Sequence, residues 1–350
     1  MAAEHKIRVL IVDDSAIVRK MLAEALAGEP DLEVVGTAPD PFVARDKILS
    51  LHPDVLTLDV EMPRMDGLTF LKKLMRFHPL PVIVISSLAQ SSSQTALEAL
   101  QCGAVEVLAK PGGPYSVGEL KQDLPQKVRA AAHARIGKAK PQLAAWVPAA
   151  PLTFPGASSS TLIAIGASTG GTEAIRELLV GLPENMPGIA VVQHIPPVFS
   201  AAFANRLNDL CKLRVKEAAD GDRLVSGLVL IAPGNFHMTL RRVGGEYRVV
   251  VQDGPRVCYQ RPSVDVLFES VAQAAKGDAI GAILTGMGSD GAQGLLKMKR
   301  AGARTIAQDE ASCVVFGMPR EAIRMGAADR VLPLNRMATE LVAMSAVVTR

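Results

Sequence analysis

Short β-branched apolar runs alternate with amphipathic stretches from the start of the chain, the pattern of a parallel sheet wrapped by helices. In the first third the runs are Ile7 to Val12, Leu32 to Val35, Val55 to Val60, Val82 to Ser86 and Val105 to Leu108. Helices are predicted over Ser15 to Ala27, Pro41 to Leu51 and Gln94 to Cys102, each stopping near Gly, Pro or a turn. After Leu124 the periodicity weakens. Residues 137–160 then hold Pro141, Pro148, Pro151 and Pro155 and the run Ser158, Ser159, Ser160, a composition that favours an extended linker with some stiffness. The lone Trp146 lies in that stretch. An aromatic in a linker is more often docked on a neighbouring domain than left in water, and the sequence leaves both outcomes open.

A second series begins at Thr161 with the strand TLIAIGA and a helix from Thr172, followed by the strand GIAVVQ, a helix from Ser200 and the run Leu228 to Ile231. Residues 238–251, with Gly244 and Gly245 at the centre, read as a β-hairpin, because paired glycines supply the positive φ angles of a tight turn. Then come a helix over Val264 to Ala275, a strand over Ala279 to Leu284, a helix over Ala292 to Ala301, a strand over Thr305 to Gln308 and a last helix from about Asn335. The expected organisation is an α/β domain over 5–124, a linker over 125–160 and an α/β domain over 161–350. Both domains are expected to be doubly wound, the first with five parallel strands and the second mainly parallel with a hairpin.

Length agrees with this division, since 350 residues exceed what one hydrophobic core usually serves. With 49% hydrophobic and 21% charged residues, disorder and coiled coil are poor descriptions. No stretch approaches the ~18 apolar residues of a bilayer span, and the opening MAAEHKIRV lacks a signal-peptide apolar run, so a cytoplasmic protein, not embedded in a membrane, is expected. Cys102, Cys211, Cys258 and Cys313 are scattered and read as reduced thiols. Residues 1–110 carry 11 basic against 15 acidic groups, 111–160 carry 6 against 2, and 161–350 carry 21 against 18. None of these holds the concentrated basic stripe of a nucleic-acid binder, and no nucleic-acid partner is expected.

Candidate chemistry falls at strand ends. Asp13 and Asp14 end the first strand, Asp59 the third, Ser86 the fourth and Lys110 the fifth, and the carboxyl ends of parallel strands share one crevice. Carboxylates this close repel unless a hard cation joins them, and Mg²⁺ suits an all-oxygen site formed by Asp13, Asp14 and Asp59. Asp59 is then a candidate phosphoryl acceptor, with the metal and Lys110 neutralising the transferred oxygens and Ser86 placed to bond the new phosphate. Singly, such aspartates are usually helix caps; together, DD, LDVEMPRMDG, SS and KP resemble the receiver domain of two-component response regulators over about 120 residues. Val107 stands where such receivers usually carry the aromatic that swings inward on activation, so the signal is expected to run through Ser86 and its strand and loop.

In the second half, TLIAIGA runs into Ser168 and the glycines of GASTGG before a helix, the strand, sharp turn and helix that expose a nucleophile. Of the six histidines, His5, His52, His78 and His133 lie in the first half or at the edge of the linker. That leaves His194 and His237. His194 closes the next strand in QHIPP, on the edge that carries Ser168, and is favoured as general base, with Asp290 of TGMGSDG as its orienting carboxylate. His237 reads as a hydrogen-bonded loop residue. A rival reading takes Gly286, Gly288, Gly291 and the later Asp309 as a dinucleotide fingerprint; it leaves GASTGG and QHIPP unexplained.

With GASTGG, QHIPP, APGNFHM, RPSVDVLFES and TGMGSDG in this order, residues 161–350 resemble the effector domain of the chemotaxis protein-glutamate methylesterases. The resemblance implies that Ser168, His194 and Asp290 hydrolyse glutamate γ-methyl esters on methyl-accepting chemotaxis receptors and also deamidate glutamine. It implies an oxyanion held by the backbone N–H groups of Met287 and Thr169, and no cofactor for the hydrolysis. A sensor histidine kinase would be the phosphodonor. The alternative from another class is a response regulator with a non-catalytic nucleotide-binding output module.

Overall fold

In the computed structural model, which describes residues 6–87, 89–112, 117–136, 152, 154 and 161–346, the apolar runs become two parallel sheets, one in each of two units, Met1–Lys140 and Pro141–Arg350. Trp146 lies outside the described residues. In the first unit β1 (Ile7–Val12), β2 (Leu32–Ala38), β3 (Val55–Asp59), β4 (Val82–Ser86) and β5 (Glu106–Ala109) alternate with α1 (Ala16–Leu26), α2 (Pro41–Leu51), α3 (Gly67–Phe77), α4 (Gln90–Gln101) and α5 (Val117–Ala132). The strand order is β2-β1-β3-β4-β5, with every pair parallel. The chain therefore reverses its winding at β1, and a crevice opens at the carboxyl ends of β1 and β3.

Local chemistry accounts for the helix starts. Ser15, Asp40 and Asp66 cap α1, α2 and α3 by accepting backbone N–H groups of the first turn. The glycine of MPRMDG is a steric requirement: a β-carbon on Gly67 would stand 2.0 Å from the Asp59 carbonyl oxygen. Two boundaries differ from expectation. Helix α4 starts at Gln90, four residues before Gln94, because the serines ahead of it carry no apolar period. Helix α5 runs to Ala132, so residues 125–132, expected to be linker, are helical. The reason is an apolar face of fully buried Leu120, Leu124, Val128 and Ala131, which the intervening Lys121, Gln122, Asp123, Gln126 and Lys127 obscure in the sequence. Lys127 pairs with Glu106 at 2.8 Å and Arg129 with Asp31 at 2.7 Å, fastening this extension.

In the second unit seven parallel strands, β6 (Leu162–Ala167), β7 (Gly188–Gln193), β8 (Arg214–Glu217), β9 (Leu228–Ile231), β12 (Ala279–Ile283), β13 (Arg304–Gln308) and β14 (Arg330–Leu332), lie in the order β14-β13-β12-β6-β7-β9-β8. Its helices are α6 (Gly171–Val180), α7 (Phe199–Leu210), α8 (Val264–Ala274), α9 (Ala292–Arg300), α10 (Met318–Arg324) and α11 (Leu334–Ala346). The expected hairpin is β10 (His237–Val243) and β11 (Glu246–Gln252), turned by Gly244 and Gly245 at φ 58° and 85°. Edge strands β8 and β14 escape sequence analysis because each is short and offers no continuous apolar run. Phe154, from the expected linker, is buried, and its carbonyl accepts from Asn185 Nδ2 at 2.7 Å. Strand β6 sits between β7 and β12, so the chain segments leaving these three strands meet at one edge.

Candidate active site

Ser168 follows β6 directly, and its turn is clamped from both neighbouring strands. Its N–H donates to the Thr285 carbonyl (3.0 Å), and its own carbonyl accepts from Gly171 N–H (2.6 Å) and Gln193 Nε2 (2.9 Å). The Thr285 hydroxyl donates to the Thr169 carbonyl at 3.0 Å. Gly170 takes φ 77°, and a β-carbon there would stand 2.5 Å from Val314; only glycine meets both conditions.

His194 follows β7, and its N–H donates to the Ala167 carbonyl at 3.2 Å. Its Nε2 lies 2.8 Å from Asp290 Oδ2, while Nδ1 is buried with no hydrogen-bond partner. The sequence pairing of His194 with Asp290 is present, therefore, with Nε2 as the nitrogen that bonds the carboxylate. Asp290 also accepts from the Ser263 hydroxyl (2.7 Å) and the N–H groups of Val264 (2.7 Å) and Asp265 (3.0 Å), the start of α8. Burial pushes its carboxyl up, but the hydrogen bonds from His194, Ser263 and the Asp265 N–H outweigh this and hold it below the usual range. Ser263 is a site residue that sequence analysis missed; its only local signal is a serine preceding an apolar helix in RPSVDVLF, the mark of an N-cap.

His237 is bonded on both ring nitrogens, Nε2 to the Pro255 carbonyl (2.9 Å) and Nδ1 by Ser263 N–H (3.3 Å). It is hydrogen-bonded as expected, but it opens strand β10 rather than lying in a loop. Gly286 packs on Ser168, where a β-carbon would stand 2.7 Å from Ser168 Cβ. Met287, next along, is partly exposed, and its N–H donates to no acceptor among the described residues. Both features of the rival fingerprint are otherwise engaged: the glycine-rich turn packs on Ser168, and Asp309 accepts from Ser312 N–H (3.0 Å) and its hydroxyl (2.6 Å). The Cys258 thiol and the carboxylates of Asp265 and Asp290 each offer an atom within 4.8 Å of the others. Burial pushes Asp265 up to about 6 and raises the Cys258 thiol.

In the first unit Lys110 Nζ lies 2.7 Å from Asp59 Oδ2 and 3.2 Å from Asp13 Oδ2. The second approach lacks hydrogen-bond alignment, and Asp13 Oδ2 is a buried carboxylate oxygen with no donor. Carboxylates of Asp13, Asp14 and Asp59 offer oxygens within 4.8 Å of one another. Burial pushes Asp59 up to about 6 against the opposing Lys110 bond, and it raises Asp13 as well. Three carboxylates facing one ammonium leave negative charge in excess, which fits a hard divalent cation. Ser86 is buried at the end of β4, with its carbonyl accepting Lys110 N–H at 2.8 Å. Val107 is buried in β5, opposite Val84.

Fold and sites together define a class: a response-regulator receiver joined to an α/β output unit with a serine, histidine and aspartate at one sheet edge. Residues 9–121 match the response regulator receiver domain, and residues 163–341 match the family described as CheB methylesterase. The chain belongs to the CheB methylesterase family. It is 57% identical over 341 residues to the protein-glutamate methylesterase/protein-glutamine glutaminase 2 of Syntrophus aciditrophicus, covering 97% of this chain and 99% of that one. It is 54% identical over 343 residues to the protein-glutamate methylesterase/protein-glutamine glutaminase of Salmonella typhimurium, covering 97% of each. The crystal structure of the Thermotoga maritima CheB methylesterase catalytic domain aligns over 53% of this chain and 100% of that one, at 40% identity and a TM-score of 0.52.

Proposed function

We propose that this protein is a phosphorylation-controlled serine esterase that removes methyl groups from glutamate γ-methyl esters on methyl-accepting chemotaxis receptors. The observation that carries the reading is the buried His194 imidazole, bonded through Nε2 to an ionised Asp290 and open at Nδ1, on the sheet edge that presents Ser168. The unpartnered Nδ1 is the nitrogen available to take the proton as Ser168 Oγ bonds the ester carbon. The imidazolium formed is stabilised by Asp290. Charge developing on the carbonyl oxygen is met by backbone N–H groups, those of Met287 and Thr169. The proton then passes from His194 to the departing methoxide, which leaves as methanol. Water, deprotonated by the same nitrogen, cleaves the acyl-serine to free glutamate and serine. A glutamine side chain follows the same course with ammonia as the leaving group.

In the receiver, Asp59 accepts the phosphoryl group of a sensor histidine kinase, and Asp13, Asp14 and Asp59, whose oxygens lie within 4.8 Å of one another, would hold Mg²⁺. The ion would supply positive charge against the transferred phosphoryl oxygens. Lys110 neutralises the same charge from the other side, and the Ser86 hydroxyl bonds the phosphate. The described residues include no helix long and apolar enough to cross a membrane, and the site of action proposed is the cytoplasm. Methanol release from methylated receptors, compared between this protein and Ser168→Ala, tests the reading. Undiminished release by the variant refutes it.

A further inference from the structure

Seven non-glycine residues have positive φ among the described residues, and four of them, Val198 (72°), Asn235 (67°), Cys258 (50°) and Tyr259 (65°), stand in loops around the proposed triad. A β-branched residue such as Val198 in this region is a genuine outlier. The loops are tied together: Gly234 N–H donates to Ser200 Oγ at 2.9 Å, Asn235 N–H to the Arg261 carbonyl at 3.2 Å and Arg261 Nη2 to Asn235 Oδ1 at 2.7 Å. Cys258 and Tyr259 are the centre of a two-residue turn closed by Val257 N–H to the Gln260 carbonyl (3.0 Å) and Gln260 N–H to the Val257 carbonyl (2.8 Å). A turn with positive φ at both centres favours Asn-Gly. Nothing in its backbone calls for cysteine and tyrosine, and strain of this kind persists where a site needs the side chain it holds.

These loops also expose large apolar side chains, with Val198 37%, Phe236 43%, Met287 39% and Tyr259 69% accessible. Their connection to the proposed triad is short. Gly286 packs on Ser168, Met287 follows it, and the Cys258 sulfur lies within 4.8 Å of an Asp290 carboxylate oxygen. Tyr259 is the next residue. An ester carried on a protein side chain brings flanking chain with it, and loops this close to the triad are in position to meet that chain. A tyrosine contributes a large, stiff contact at low entropic cost.

We propose that Tyr259 is a specificity-determining residue, its ring packing on apolar side chains of the receptor segment that carries the ester, with Phe236 and Val198 extending the same rim. This rests on the hydrolase reading of the Ser168 site. Tyr259→Asn and Tyr259→Gly suit the left-handed turn and should leave the thermal midpoint of the full-length protein unchanged or raised. For methylated receptor, KM should rise about tenfold in both variants with kcat unchanged, the scale of losing one interface anchor; Tyr259→Phe should keep the original KM. Labelling of Ser168 by a fluorophosphonate, which has no flanking chain, should proceed at the same rate in all. A receptor KM within twofold of the parent in Tyr259→Asn overturns the proposal. So does an equal slowing of receptor turnover and fluorophosphonate labelling, which would mark a structural role. Failure of the parent protein to be labelled at Ser168 would instead reject the hydrolase reading itself.

Discussion

His194 Nε2 lies 2.8 Å from Asp290 Oδ2, and the opposite ring nitrogen of the same buried imidazole has no partner. The bond selects a tautomer, with the proton on Nε2 and the lone pair on Nδ1. It also joins two strands' ends, since His194 follows β7 and Asp290 lies in the segment between β12 and α9.

Because these groups act as one nucleophilic unit, Ser168→Ala, His194→Ala and Asp290→Ala should each lower methanol release by about a thousandfold or more. The double variant Ser168→Ala/His194→Ala should be little worse than either single one. His237→Ala should cost far less, since both its ring nitrogens are already engaged by backbone. A His237→Ala loss exceeding that of His194→Ala would transfer the base role to His237.

Ser263→Ala removes one of the donors that hold the Asp290 carboxyl low. A folded-state value below the unfolded one means stability that is present above the unfolded value and lost as pH falls through the folded one. The variant should therefore lose about 1–3 kcal/mol at pH 7, the scale of a buried hydrogen bond to a charged group, and the deficit should shrink as the pH is taken below 4. Urea unfolding of both proteins at pH 7 and pH 3 measures this. A deficit that stays constant with pH would show that Ser263 acts only as the cap of α8.

Acetyl phosphate with Mg²⁺ should phosphorylate the protein at Asp59 and speed demethylation. Asp59→Asn should abolish the phosphorylation, and chelator should prevent it, because Asp13, Asp14 and Asp59 supply one oxygen-lined site. Mass spectrometry of the intact chain gives the readout. Phosphorylation that persists undiminished in Asp59→Asn, or in chelator, would place the acceptor elsewhere.

Close packing at the edge of the triad gives a test by volume. A β-carbon at Gly166 would stand 2.1 Å from a Val264 methyl carbon, and Gly166 carries no positive φ. Gly166→Ala should thus destabilise the protein by about 1–3 kcal/mol through overpacking alone. Adding Val264→Ala should recover part of that loss, a coupling that a double-mutant cycle in urea quantifies. Strict additivity of the two changes would argue against the contact.

Much of the architecture was legible because it is local. A β-branched run followed by a turn and an apolar period of 3.6 needs no distant partner to be recognised, so the principal strands of both sheets, the hairpin and the order of the parts follow from the chain itself. The positions of Asp13, Asp59, Lys110, Ser168 and His194 were legible for the same reason. Each stands at the end of a recognisable strand, and parallel strands carry their carboxyl ends to one edge.

Other features depended on contacts between residues far apart in sequence. The helical character of residues 125–132 depends on Leu124, Val128 and Ala131 finding buried places, and charged residues between them blur the period. Strands β8 and β14 exist because a neighbour offers them a hydrogen-bonding edge, and their own residues show no sufficient apolar pattern. Asp290 accepts from Ser263, Val264 and Asp265, 25 to 27 positions away, so a carboxyl that burial pushes up is held below the usual range. The choice of Nε2 rather than Nδ1 for Asp290 is of the same kind. The residue types and their order along the chain specified which groups could react; the tertiary structure decided their protonation and orientation, because those depend on burial and on hydrogen-bond partners brought together only by folding.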